Sequence, residues 1–198
     1  MNRSTSLGMN WRGRLSPWIT PRIGRFIERH PEIDLELPST NALTDFTRDD
    51  VDVGIRFGPG GYRDLHVERL LDEVSFPVCA PTFNGGDLPK TPAELAASPR
   101  LLRSDDQMWN TWFKAAGLAG AQEPRRGVFY QDSSNLLQAA MDGQGIALIR
   151  RSIGSHELAT GRLVRLFDID APSASAHWFV CPPPIFETAR VQAFHAWL

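Results

Sequence analysis

Apolar residues recur in two rhythms along the chain: three or four apart in some stretches, alternating or continuous in others. The two kinds of stretch take turns almost throughout. Helical and extended patterns that alternate in this way predict an α/β architecture with largely parallel sheets. Ile19, Ile23, Phe26 and Ile27 form one stripe at helical spacing. That helix starts either at Ser16-Pro17 or with Pro21 in its first turn, and His30-Pro31 stops it. Residues 33–37 alternate like a strand, 41–48 read as a short helix and 51–57 as a buried strand broken by Gly58-Pro59-Gly60-Gly61. Residues 67–71 and 74–80 read as separate extended segments. The start, residues 4–10, is a poor strand candidate because only Leu7 and Met9 are apolar.

Thr91-Pro92-Ala93-Glu94 predicts a helix start, with proline just inside the cap and an acid in the first turn. Leu101 and Leu102 suggest a short strand. Met108, Trp109, Trp112, Phe113 and Ala116 share a helix face that stops at Gly117. A strand over 128–131 leads to Asp132-Ser133-Ser134, which caps a helix over 135–141. Gly143-Gln144-Gly145 then turns the chain into strand 146–149. A helix over 152–159 ends at Gly161, strands follow at 163–167 and 176–181, the prolines 182–184 break the chain, and a helix over 187–198 closes it.

A length of 198 residues suits one domain or two small lobes sharing strands. The net charge of −2 gives the surface no general cationic field for nucleic acid. Arg12, Arg14, Arg22, Arg25 and Arg29 read instead as a solvated helix face. No run approaches the roughly 20 apolar residues that span a bilayer, and the first residues lack the apolar core of a secretory signal. The cytoplasm is the expected location.

The chemical motifs fail one by one. Gly58 to Gly61 has no phosphate-loop lysine, and His156-Glu157 is followed by Thr160 where a zinc protease needs its second histidine. No serine sits in a nucleophile elbow. Neither an enzyme nor a cofactor or metal site is expected. The two cysteines, Cys79 and Cys181, read as buried free thiols, with a redox pair and a metal site as less common alternatives. They do share a pattern. Phe76-Pro77-Val78-Cys79-Ala80-Pro81 is echoed about 100 residues later by Trp178-Phe179-Val180-Cys181-Pro182-Pro183. As neighbouring strands they would carry the chain out of one lobe and back. His30 and His195 read as surface residues, and Trp109, Trp112 and Trp197 as core.

One ordered set of segments resembles the effector domains of LysR-type transcriptional regulators, in the variant of the glycine-cleavage activators. It begins with Trp18-Ile19-Thr20-Pro21-Arg22-Ile23-Gly24-Arg25-Phe26, His30-Pro31-Glu32-Ile33-Asp34-Leu35 and Asp49-Asp50-Val51-Asp52-Val53-Gly54-Ile55-Arg56-Phe57-Gly58. It continues through Leu70-Leu71-Asp72-Glu73, the Cys79 segment, Asp132-Ser133-Ser134 and Gly143-Gln144-Gly145-Ile146-Ala147-Leu148 to Gly161-Arg162-Leu163-Val164. The resemblance implies two Rossmann-like lobes joined by two crossover strands, as in type 2 periplasmic binding proteins. Lobe I would be 1–79 with 178–198, and lobe II 80–177. It also implies a homodimer or higher homo-oligomer that binds a small-molecule effector in the cleft to control transcription. DNA would be contacted only through an N-terminal helix-turn-helix absent from this chain. A free-standing solute-binding protein of the same fold is the alternative.

Sites in such folds gather at helix N-termini and strand carboxyl ends. The candidates are Ser16, Ser39, Thr40, Asn41, Arg56, Ser133, Ser134 and His177. Ser133 and Ser134 serve equally well as helix caps. His177 faces the cleft or the core according to strand phase. Arg56 recognises a carboxylate-bearing effector or pairs internally with Asp52 or Glu68.

Overall fold

The computed structural model describes residues 6–11, 16–36, 45–104, 109–122 and 127–198. Its elements are, in chain order, β1 (Ser6–Trp11), α1 (Ser16–Arg29), β2 (Asp34–Glu36), β3 (Val53–Gly58), β4 (His66–Cys79), α2 (Pro92–Ala96), β5 (Arg103–Ser104) and α3 (Trp109–Ala115). They continue with β6 (Phe129–Tyr130), α4 (Ser133–Met141), β7 (Ala147–Arg150), α5 (Arg151–Ala159), β8 (Val164–Arg165), β9 (Ala171–Cys181), α6 (Pro183–Phe186) and α7 (Ala189–Trp197). The class is mixed α/β. Only part of the pairing is parallel, contrary to the alternation of patterns: β1 runs parallel to β2 and β3, and β5 to β6, whereas β3–β9, β4–β7 and β4–β8 are antiparallel. The strand order among the described residues is β2-β1-β3-β9-β4-β7.

The chain divides into two compact units, Met1–Asp72 with Ala174–Leu198 and Glu73–Ser173, so β4 and β9 each run through a division point. In the first unit, Leu7, Met9, Val53, Ile55, Phe179 and Cys181 pack with Ile19 and Phe26 of α1 and Val191 and Phe194 of α7. The weakly apolar start is therefore a core strand after all. β1 lies between β2 and β3, and Leu7 and Met9 are fully buried. Pairing on both edges supplies what its composition lacks. Gly8 permits this, since a Cβ there would stand 2.5 Å from the Asp50 carbonyl oxygen. The helix begins at Ser16, with Pro21 inside it, and Ile27 is 48% exposed rather than part of the buried stripe. The short helix expected over 41–48 appears only as a turn at 46–48, residues 41–44 lying outside the described residues.

In the second unit, Phe76, Val78, Ala147 and Ile149 pack against Leu136, Leu137 and Ala140 of α4 and Ile153 of α5. A neighbouring cluster joins Cys79, Leu95, Ile146 and Leu148 to Trp109, Trp112 and Phe113. The two indoles are core as expected, and each finds a carbonyl: Trp109 Nε1 donates to Leu102 O (3.1 Å) and Trp112 Nε1 to Ile169 O (3.0 Å). Thr91 caps α2, accepting from Glu94 N at 3.2 Å. The two extended segments 67–71 and 74–80 are one strand, β4, because the polar pair between them does not interrupt it. Glu73 is buried, and its carboxylate accepts from Val74 N (3.3 Å), Ser152 N (3.2 Å) and Ser152 Oγ. It thus caps the start of α5, a favourable place for negative charge. The prolines read as a break instead open α6, where proline suits the first helical turn.

Candidate functional site

Because β1, β2 and β3 are parallel, their carboxyl ends lie along one edge of the first unit's sheet. β9 runs antiparallel to β3 and enters at the same edge, with Ala176 opposite Gly58, His177 opposite Phe57 and Trp178 opposite Arg56. Ser16 opens α1, the helix that follows β1. Ser39, Thr40 and Asn41 follow β2 in sequence but lie outside the described residues. The topology therefore brings Arg56, His177 and Ser16 to the edge that ligands use in open α/β sheets.

Strand register separates two of these candidates. Residues opposite one another share a face, and successive residues alternate. Arg56 shares a face with Trp178, whereas His177 shares the other with Phe57, Ile55 and Phe179, the face of the core. His177 is 2% exposed, with its ring 5.0 Å from that of Phe57. The Arg56 guanidinium lies over Tyr62 at 4.9 Å and Phe46 at 5.5 Å. Trp178 Nε1 donates to Gly58 O at 2.8 Å. Gly60, at φ +90°, packs so closely on that indole that a Cβ would stand 2.6 Å from it. The glycines of the loop were legible as a break; the ring they accommodate was not.

Both carboxylates weighed as internal partners for Arg56 are engaged by other groups. Asp52 accepts from Gly8 N (3.1 Å) and from Arg190 Nη2 (2.8 Å). Glu68 accepts from Nε2 of His66 (2.8 Å) and of His195 (2.7 Å). Partial burial works against the Glu68 charge, but the hydrogen bonds from His195 and then His66 outweigh it and hold the carboxyl below the usual carboxylate range. His195 is thus a half-buried tie between α7 and β4 rather than a surface residue, and His66 stacks on Phe186 with ring centroids 3.5 Å apart. His30 is half-buried too, with its ring centroid 4.9 Å from that of Phe26.

In the second unit, Ser133 and Ser134 open α4, but the cap is Asp132, whose carboxylate accepts from Ser134 N (2.8 Å) and Asn135 N (3.2 Å). Neither hydroxyl is the N-cap. Ser133 is buried and Ser134 exposed. The cysteines are free and buried, Cys79 in the second unit's core and Cys181 in the first unit's. Desolvation raises the Cys79 thiol to about 11. Desolvation, followed by the charges of Glu68 and Asp52, raises Cys181 to about 12. Thiols in such surroundings are chemically inert. Among the described residues no helix is long and apolar enough to cross a membrane.

A family model described as the LysR substrate binding domain matches residues 15–198. The chain is 34% identical over 182 residues to the glycine cleavage system transcriptional activator of Escherichia coli (strain K12), covering 91% of this chain and 59% of that protein. It spans about 60% of the length of the curated relatives it matches. The effector domain of the transcriptional regulator AmpR of Pseudomonas aeruginosa superposes with a TM-score of 0.79 at 30% identity, covering 97% of this chain and 92% of that one. The regulatory domain of CrgA, a LysR-type regulator from Neisseria meningitidis, shares the fold, with a TM-score of 0.72 at 20% identity and coverage of 96% and 94%. The match from residue 15 to the last residue and the agreement of fold lead to one conclusion: the chain belongs to the LysR substrate-binding domain family, the non-enzymatic effector-binding regulatory domain of LysR-type transcriptional regulators.

Proposed function

We propose that this domain senses a small organic anion at the carboxyl edge of β1, β2 and β3. One observation carries the reading: three parallel strand ends converge there, and the last of them presents Arg56 with its guanidinium over two aromatic rings. Stacking restrains the planar cation, and the fork geometry of a guanidinium suits a carboxylate. Ser16, Ser39, Thr40 and Asn41 supply short polar groups after β1 and β2. His177, buried on the core face against Phe57, backs this edge from within. In the second unit, Ser133 and Ser134 at the start of α4 are separate candidates for effector contact. Coupled to an N-terminal helix-turn-helix and assembled as a homodimer or higher homo-oligomer, the domain controls transcription by shifting the population of two states.

A thermal-shift screen of small organic acids tests this on the wild-type chain and on Arg56→Ala. The expected result is a rise in melting temperature for one class of acid that disappears in the variant. Equal shifts in both proteins remove Arg56 from the site.

A further inference from the structure

The second unit carries a cavity of about 290 Å³ beside Phe83 and Arg100, far along the chain from the strand ends just described. That volume is close to the lower limit of about 300 Å³ for small-molecule pockets. Phe83 is buried, and the Arg100 guanidinium lies over its ring at 4.2 Å. Asn84 Oδ1 accepts from Arg100 Nη2 at 3.2 Å, while Asn84 Nδ2 donates to Asp87 O at 3.1 Å. Asn84 adopts a left-handed conformation, φ 52° and ψ 37°, to make both bonds. An exposed arginine ordinarily loses side-chain freedom when it binds a ligand. Here a ring and an amide remove that freedom beforehand, and the guanidinium keeps further N–H donors for a carboxylate.

The opposite charge is supplied by Asp87 and Glu94, which also line the cavity. Lys90 tempers both, its Nζ lying 3.7 Å from Asp87 Oδ1 and its backbone N donating to Glu94 Oε2 at 2.9 Å. A ligand with only a carboxylate would meet two like charges, and one with only an amine would meet Arg100. A molecule bearing both meets a partner for each. Ser98 supplies a hydroxyl on the Arg100 side, and Leu88 lies on the apolar wall.

We propose that this pocket is a second small-molecule site, one that takes a zwitterionic amino acid with an apolar side chain: carboxylate on Arg100, ammonium on Asp87 and Glu94, side chain against Phe83 and Leu88. It is independent of the Arg56 reading. The test is amide chemical-shift mapping on the 15N-labelled chain with three probes: L-leucine, 4-methylpentanoate, which lacks the ammonium, and 3-methylbutylamine, which lacks the carboxylate. L-leucine is expected to move amides within residues 83–100, and the other two to move them little. Arg100→Ala should weaken L-leucine by about tenfold or more, the loss of a charge-assisted contact. Asn84→Gly, which suits the left-handed backbone and removes the anchor together with the bond to Asp87 O, should weaken it less while leaving amides elsewhere in place. Shifts centred outside residues 83–100, unchanged binding in Arg100→Ala, or equal binding of 4-methylpentanoate each overturn the proposal.

Discussion

Arg56 and His177 stand on adjacent strands at the same sheet edge, yet their side chains leave opposite faces, because Arg56 is opposite Trp178 and His177 is opposite Phe57. The two are one register position apart across neighbouring strands and strangers in packing. His177→Ala should cost about 2 kcal/mol, since it empties a position buried against Phe57. Arg56→Ala should cost about 1 kcal/mol, the loss of its ring contacts. In the double variant the two costs should add within about 0.5 kcal/mol. Urea midpoints of the four proteins check this, and strong coupling would contradict the facing assigned here.

Glu73 makes a second prediction through its bonds to Ser152. Glu73→Ala leaves a buried helix start without its anion and should cost about 3 kcal/mol. Ser152→Ala, which keeps the backbone donor, should cost about 1 kcal/mol. Equilibrium denaturation gives both numbers, and the ranking is the decisive part.

The His66–Glu68–His195 arrangement predicts an acid limb in stability. The Glu68 carboxyl titrates below its ordinary value of 4.5 in the folded protein. The unfolded chain therefore binds more protons there, so the contribution is complete above that value and is lost as pH falls through the lowered one. Glu68→Gln should flatten this limb. Thermal melts between neutral pH and pH 3 compare the two slopes, and parallel curves would refute the assignment.

Two neighbouring glycines should respond differently to the same change. Gly60→Ala places a Cβ against Trp178 at a positive φ and should cost about 3 kcal/mol, combining strain with a clash. Gly61, at φ +74°, has nothing within 4 Å of its would-be Cβ. Gly61→Ala should cost only the backbone term, about 1 kcal/mol. Melting temperatures rank them.

Cys79 and Cys181 should resist a thiol reagent at neutral pH until the chain unfolds. Both are fully buried, with thiols raised to about 11 and about 12. A time course with an aromatic disulfide reagent, with and without denaturant, reports this directly. Rapid labelling of the native chain would show that one core opens readily.

Much of the fold was legible in local patterns, and the misses share a cause. β1 looked too polar for a strand because its burial comes from β2 and β3, which follow it in the chain. β4 looked like two segments because Glu73 finds its donor at Ser152, 79 residues later. Of the candidate site, the Ser, Thr, Asn and Arg positions could be named from their places after strands and before helices. The aromatic rings beside Arg56 and the true cap, Asp132, could not be ranked without contacts.

The sequence by itself determined the alternation of helices and strands, the cap at Thr91, the glycine stop at Gly161 and the family. Each rests on periodicity, local backbone preference or an ordered set of motifs, all of which act between residues near in the chain. Tertiary structure alone decided which strands run antiparallel, which face Arg56 and His177 take, and which partners claim Asp52 and Glu68. Those depend on register between segments distant in the chain, more than 100 residues apart for Arg190 with Asp52 and His195 with Glu68. Local propensity carries no information about pairings at that separation.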